Sequence, residues 1–137
     1  MAKALLAEIG IGVQGTTVDE NGLRVRIDEA RAERDTVGGV VEVRATGLPP
    51  GLGSYATKDD RLDARLAFAL MGIQAVKGVE IGDGFVLADL RGSQAHDEID
   101  TSRRRTSNHA GGIEAGISNC EEIVVRAAMK PLPTLMK

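Results

Sequence analysis

Residues 67–76, AFALMGIQAV, carry one ordinary polar side chain, Gln74. They continue from residues 60–66, where Leu62 and Leu66 stand four apart and Asp63 and Arg65 fall between them. The spacing predicts one helix over residues 60–76, amphipathic in its first half and apolar on nearly every side in its second. A helix of the second kind has to be covered on more than one face. One sheet covers one face only, so the remaining cover must come from elsewhere in the chain or from a partner. A second copy of the chain is the simplest such partner, which predicts a homodimer or higher assembly with Phe68, Met71 and Gly72 near the contact.

The other segments alternate between helix and strand. Residues 2–9 collect helix formers with Leu5, Leu6 and Ile9 toward one side, and Gly10 is a stop. Residues 11–18 are rich in Val and Thr and read as a strand. Residues 19–22, DENG, have turn composition, and 23–27 alternate apolar residues with arginine, which predicts a hairpin partner for that strand. Residues 28–35 then read as a short charged helix. A second strand at 40–45 is broken by Pro49, Pro50 and Gly51. Residues 78–81 read as a strand followed by the turn Gly82-Asp83-Gly84, and 112–118 with 123–129 as a hairpin about Asn119 and Cys120. Together these predict a single domain over residues 1–137 of the α+β class. In it an antiparallel sheet of roughly four strands packs on a helical layer.

Composition removes several functions. The net charge is −3 and the only aromatics are Tyr55, Phe68 and Phe85, so there is no basic face or stacking platform and no nucleic-acid partner is expected. No apolar run reaches the roughly 18 residues that cross a bilayer, and the start lacks a signal-peptide pattern. The expectation is a soluble, cytoplasmic protein with no membrane partner. The single Cys120 excludes an intramolecular disulfide and fits a reducing compartment.

The stretch richest in chemistry is 103–118, RRRTSNHAGGIEAGIS. Its small residues allow anionic oxygens to approach backbone N–H groups, and Arg103, Arg104 and Arg105 could add charge-assisted contacts to phosphate. On spacing alone the three arginines read more simply as an exposed loop. Glu80 and Asp83 make no complete ligand set, so no metal site is expected. His96 and His109 have the pKa for proton transfer near neutrality.

Six strings recur in a fixed order: GGVVE at 38–42, GLPPGLG at 47–53, LMGIQAVKGVEIGDGF at 70–85, RGSQAHDEI at 91–99, SNHAGGIEAGIS at 107–118 and AMKPLPT at 128–134. In order and spacing they resemble the chorismate synthase family. The resemblance runs over nearly the whole chain from about Ala2, yet it covers well under half of a family member. It implies about one half of the family's β-α-β sandwich, in which helices lie between antiparallel sheets. It also implies a lyase of the shikimate pathway that acts in aromatic amino acid biosynthesis. That reaction removes phosphate and a ring proton from 5-enolpyruvylshikimate 3-phosphate to give chorismate, and requires reduced FMN without net redox change.

The family's FMN contacts in this region match Gln74, Ala75, Ala115, Lys130, Pro131, Leu132, Pro133 and Thr134. Without the resemblance, Gln74 reads as a helix residue and Lys130 as a solvated charge at a strand end. The family's catalytic histidines, its arginine-rich substrate segments and its C-terminal aspartate have no counterpart in these residues. His96 and His109 do not match its catalytic positions, so no catalytic residue is assigned. Ala115 and Cys120 each stand where the family has glycine. The expectation is a truncated form with weak or no activity alone. The alternative is a domain that binds FMN or an anion, or only oligomerises, without turnover.

Overall fold

The structure is a computed structural model that describes residues 1–102 and 104–133. In chain order its elements are α1 (Ala2–Glu8), β1 (Gly12–Thr17), α2 (Glu20–Glu33), β2 (Gly39–Thr46), α3 (Leu62–Met71), β3 (Val76–Ile81), α4 (Gly92–Ala95), β4 (Ile113–Glu114), β5 (Ile117–Ser118) and β6 (Ile123–Met129). Four strands form one sheet in the order β1-β2-β6-β3, every neighbouring pair antiparallel, and β4 pairs with β5 in a separate small hairpin. No helix among the described residues is long and apolar enough to cross a membrane.

The two faces of the sheet differ because strand side chains alternate. On one face Val43, Val125 and Ile81 stand in register, with Val41, Ala127 and Val79 in the next row. Ile113, Ile123 and Val125 form the buried core there, and Leu62, Leu66 and Leu70 of α3 pack against it. Those leucines recur every four residues and make the inward stripe of the helix. On the opposite face Glu42, Arg126 and Glu80 lie in one row. The Arg126 guanidinium donates to Glu42 at 2.8 Å and to Glu80 at 3.1 Å. Arg44 donates to Glu42 at 2.6 Å and to Glu122 at 2.7 Å. The bonds from Arg126, and then those from Arg44, hold the Glu42 carboxyl below its ordinary range.

Three expectations give way to the structure. Residues 23–27 are not a hairpin strand but belong to α2. Asp19 caps that helix by accepting from the Gly22 N–H at 3.1 Å, and Arg24 bonds Glu20 one turn back at 2.5 Å. Leu23, Ile27 and Ala30 then share one helical face. The helix expected over 60–76 starts at Leu62 and stops at Met71, because residues 72–75 turn and Val76 opens β3. An apolar run cannot by itself separate buried helix from buried strand. Finally, residues 112–118 do not pair with 123–129. They close on themselves as β4–β5 about Ala115 and Gly116, while β6 enters the main sheet between β2 and β3.

The shortened helix keeps an uncovered apolar side. Phe68 is 84% exposed and Met71 48%, and Ile73 in the following turn is 52% exposed.

Ser118 fixes the proline loop onto the core. Its hydroxyl donates to the Pro49 carbonyl at 2.6 Å and accepts from the Leu52 N–H at 2.9 Å. Its backbone N–H and C=O bond Leu52 and Gly51. Ser118 is 2% exposed, and Ser118→Ala takes away the hydroxyl that the Pro49 carbonyl and the Leu52 N–H share. The expected loss is about 1–3 kcal/mol of folding stability, read from the denaturant midpoint. A midpoint equal to that of the parent would show that water replaces the hydroxyl.

Candidate functional site

One end of the sheet gathers most of the positions singled out in the sequence. Ala75, between α3 and β3, has φ +70. Its carbonyl accepts the Lys130 N–H at 2.9 Å. Val76 faces Met129 across β3 and β6, so the turn at 74–75 and the segment leaving β6 lie side by side. The Thr36 hydroxyl donates to the Leu132 carbonyl at 2.7 Å. A Cβ on Gly38 would stand 2.2 Å from the Met129 carbonyl oxygen, so only glycine lets the chain leave the sheet so close to β2. Gln74, Lys130, Pro131, Leu132 and Pro133 are exposed. Beside them runs a groove of about 290 Å³ whose walls include Leu23, Ile27, Val37, Met129, Lys130 and Leu132.

Gln74, Ala75, Lys130, Pro131, Leu132 and Pro133 are thus neighbours, and Thr134 lies outside the described residues. Ala115 is not with them. It sits in the β4–β5 turn, and the next carbonyl, of Gly116, accepts the Leu62 N–H at 2.8 Å at the start of α3. The ten residues of α3 separate the two places by roughly 15 Å.

A second constellation joins two of the sequence strings. Asp97 accepts from the Ser107 hydroxyl at 2.6 Å, the His109 N–H at 2.7 Å and the Ala110 N–H at 2.9 Å. Burial opposes the charge on Asp97, but these three bonds together outweigh it and hold the carboxyl below its ordinary value. His109 Nδ1 lies 2.6 Å from an Asp83 carboxylate oxygen, and that hydrogen bond raises the imidazole pKa. Asp83 follows the C-terminal end of β3, whereas Ala75 precedes its start. The six residues of β3 put His109 roughly 20 Å from Lys130. The bonds of Asp97 and His109 therefore order the 107–112 loop, away from the Lys130 end.

The arginines divide as well. Arg105 is paired with Glu114, Nε to carboxylate at 2.9 Å, so its guanidinium is already bound within the fold. Arg103 lies outside the described residues. Among the described residues no three His, Cys, Asp or Glu side chains converge to hold a metal. Nothing in the sequence alone marked Asp97 or Ser118, because their partners come from chain segments that only the fold brings close.

The groups at the Lys130 end suit an anionic ligand: an exposed ammonium, an exposed amide and a backbone stiffened by two prolines. Comparison with known proteins gives that end its context. The chorismate synthase family profile matches residues 1–137. The chain belongs to the chorismate synthase family. A chorismate synthase of Geotalea uraniireducens is 55% identical over 146 residues, covering 98% of this chain and 37% of that protein. One from Geobacter sulfurreducens is 47% identical over 180 residues, covering 100% of this chain and 46% of that protein. A solved structure titled "Crystal Structure of Chorismate Synthase" matches with a TM-score of 0.90 at 38% identity, covering 96% of this chain and 52% of that one. The sheet and its helices are therefore the chorismate synthase fold in part. The chain spans about a third to a half of the length of these curated relatives.

The two positions where the resemblance implies glycine have a geometric reading. Ala115 has φ +51 and Cys120 φ +75. Both turns use the left-handed region, where an L side chain costs roughly 1–2 kcal/mol relative to glycine. The fold accommodates both.

Proposed function

We propose that this chain carries the flavin-contacting face of a chorismate synthase site, which works on 5-enolpyruvylshikimate 3-phosphate with reduced FMN. The observation that carries this reading is the hydrogen bond from Lys130 N–H to Ala75 C=O at 2.9 Å, which holds the 74–75 turn against the 130–133 segment. When bound, reduced FMN supplies the transient electron donation under which the substrate loses phosphate and a ring proton. Lys130 offers a charge-assisted hydrogen bond to an anionic oxygen, and the Gln74 amide offers its NH2 as donor and its carbonyl oxygen as acceptor beside it. Pro131 and Pro133 fix the path of the backbone that carries them. Ala115 belongs to a flavin contact only where another copy or another segment brings that turn to a neighbouring Lys130 end. A cytoplasmic setting accords with the exposed free thiol of Cys120.

Titration with reduced FMN under anaerobic conditions tests the face. Lys130→Ala is expected to weaken binding by about 1–3 kcal/mol, roughly 5- to 150-fold in Kd. An unchanged Kd would remove Lys130 from the site.

The same reading includes self-association through α3. The inward stripe of Leu62, Leu66 and Leu70 packs on the sheet, while Phe68 and Met71 face outward. A second copy placed against them would supply the layer that a half-sandwich lacks. Arg65 also faces outward and lines a groove with Phe68, so it lies within the proposed contact. Met71→Glu should therefore dissociate or unfold the assembly, whereas Lys3→Glu on α1 should leave it intact. Light scattering decides: a stable monomer at micromolar concentration for the parent chain would remove this contact.

A further inference from the structure

The Lys130–Pro133 segment is stiff along its length but held at few points. Pro131 and Pro133 lock their own φ, and a proline keeps the residue before it extended, which restricts Lys130 and Leu132. Prolines have no N–H, so the segment carries two backbone donors, those of Lys130 and Leu132. The Lys130 N–H bonds the Ala75 carbonyl at 2.9 Å, whereas among the described residues the Leu132 N–H has no partner. Past Lys130, one hydrogen bond among the described residues reaches the segment. The Thr36 hydroxyl donates it to the Leu132 carbonyl at 2.7 Å.

Thr36 is itself set by the end of α2. Arg34 closes that helix at φ +57, and its N–H bonds the Arg31 carbonyl at 3.2 Å. The Asp35 N–H donates to the Ala30 carbonyl at 2.8 Å, and the Asp35 carboxylate accepts the Thr36 N–H at 2.7 Å. Beyond Thr36 the chain passes so near the segment that a Cβ on Gly38 would stand 3.1 Å from Pro131 Cδ. The end of the helix thus delivers one hydroxyl to one carbonyl of the arm.

Lys130 and Leu132 both line the groove of about 290 Å³, with Val37, the neighbour of Thr36, in its wall. The place of that wall depends on the direction in which the stiff arm leaves β6. Held by the Ala75 bond alone, the arm pivots about Lys130. The Thr36 bond near its far end removes that freedom.

We propose that Thr36 is a positioning residue for this end of the sheet. Its hydroxyl holds the Lys130–Pro133 arm in place, so that Lys130 and Leu132 form a fixed wall for the flavin. The inference rests on the flavin reading of the Lys130 end. Without the hydroxyl the arm has to be ordered as the ligand binds, and that ordering subtracts from the affinity. A serine in place of Thr36 keeps the bond, and a valine keeps the shape without it.

Two measurements on the full chain test the proposal. The heteronuclear NOE of the Leu132 amide in isotope-labelled protein reads the order of the arm without ligand. It should fall in Thr36→Val and stay at the parent value in Thr36→Ser. Anaerobic titration with reduced FMN should give a Kd about 3- to 10-fold higher for Thr36→Val, as the loss of one neutral hydrogen bond predicts. Thr36→Ser should bind like the parent, and saturating reduced FMN should restore the order of Leu132 in Thr36→Val. If Thr36→Val does not fold, Thr36→Ala gives the same readouts. A Leu132 amide as ordered in Thr36→Val as in the parent would overturn the proposal, as would a serine variant as loose as the valine one. An unchanged Kd for Thr36→Val, where Lys130→Ala does weaken binding, would overturn the positioning role and leave the flavin reading standing. An unchanged Kd for both variants would remove the flavin reading and this inference with it.

Discussion

Gly82→Ala is expected to cost more than about 4 kcal/mol, a large part of the usual total stability of about 5–15 kcal/mol. Gly82 has φ +58, and a Cβ there would stand 2.2 Å from the His109 carbonyl oxygen and 2.5 Å from the Gly111 nitrogen. Gly111 reciprocates, with φ +62 and its own Cβ position 2.4 Å from the Gly82 nitrogen. The left-handed backbone alone costs roughly 1–2 kcal/mol with an L side chain. The overlap adds more, because both obstacles are backbone and no rotamer relieves them. Separating the two segments would break the bonds from Gly82 N–H to Val124 C=O and from Asp83 N–H to His109 C=O, each 2.9 Å. It would also break the Asp83–His109 pair. Gly10→Ala is the matched control, since Gly10 has φ +80 and nothing within 4 Å of a Cβ. Denaturant midpoints should show a loss of about 1–2 kcal/mol for Gly10→Ala and a far larger one for Gly82→Ala. Equal small losses would mean that the 82–111 contact opens without consequence.

The contrast between these glycines marks how much the sequence disclosed. GDG and AGG read as turns from their letters, but nothing in them says that one turn rests on the other. The strands at β1, β2 and β3 were legible because Val, Thr and Ile run between Gly and Pro breaks. Leu23, Val25 and Ile27 fit a two-residue alternation, but Leu23 and Ile27 also fit a helical face, with Val25 57% exposed off it. The Asp19 cap and the Glu20–Arg24 bond settle that ambiguity in favour of helix, and both are visible only in the structure. The apolar run 67–76 concealed the α3–β3 boundary for a different reason. The turn is made by Ala75 at positive φ, a residue that gives no turn signal of its own. In sequence β6 reads as one arm of a hairpin, although Ile123, Val124 and Val125 are all buried. A strand covered on both faces loses the alternation that would have marked it as central. At the candidate site, Gln74, Ala75 and the 130–133 segment follow from the family strings, and the structure sets them side by side. Ala115 follows from the same strings but lies at the other end of α3, since a motif carries position along the chain and not distance across it.

The second large effect expected is on turnover. The chain contains the strings around Gln74, Ala75 and Lys130, and the resemblance implies that proton transfer and substrate binding rest on histidine and arginine motifs with no match among these residues. His109 is held by Asp83 about 20 Å from Lys130 along β3, so within one chain it does not substitute for them. Loss of general acid–base catalysis alone lowers rates by roughly 10²–10⁴. The decisive measurement mixes the purified chain, free of host enzyme, with reduced FMN and 5-enolpyruvylshikimate 3-phosphate under anaerobic conditions, following flavin binding and chorismate release together. We expect reduced FMN to bind, and chorismate to form at least about 10²-fold more slowly than with a full-length relative, or not detectably. Chorismate released at the full-length rate would contradict this account and return His96 and His109 to the reacting groups.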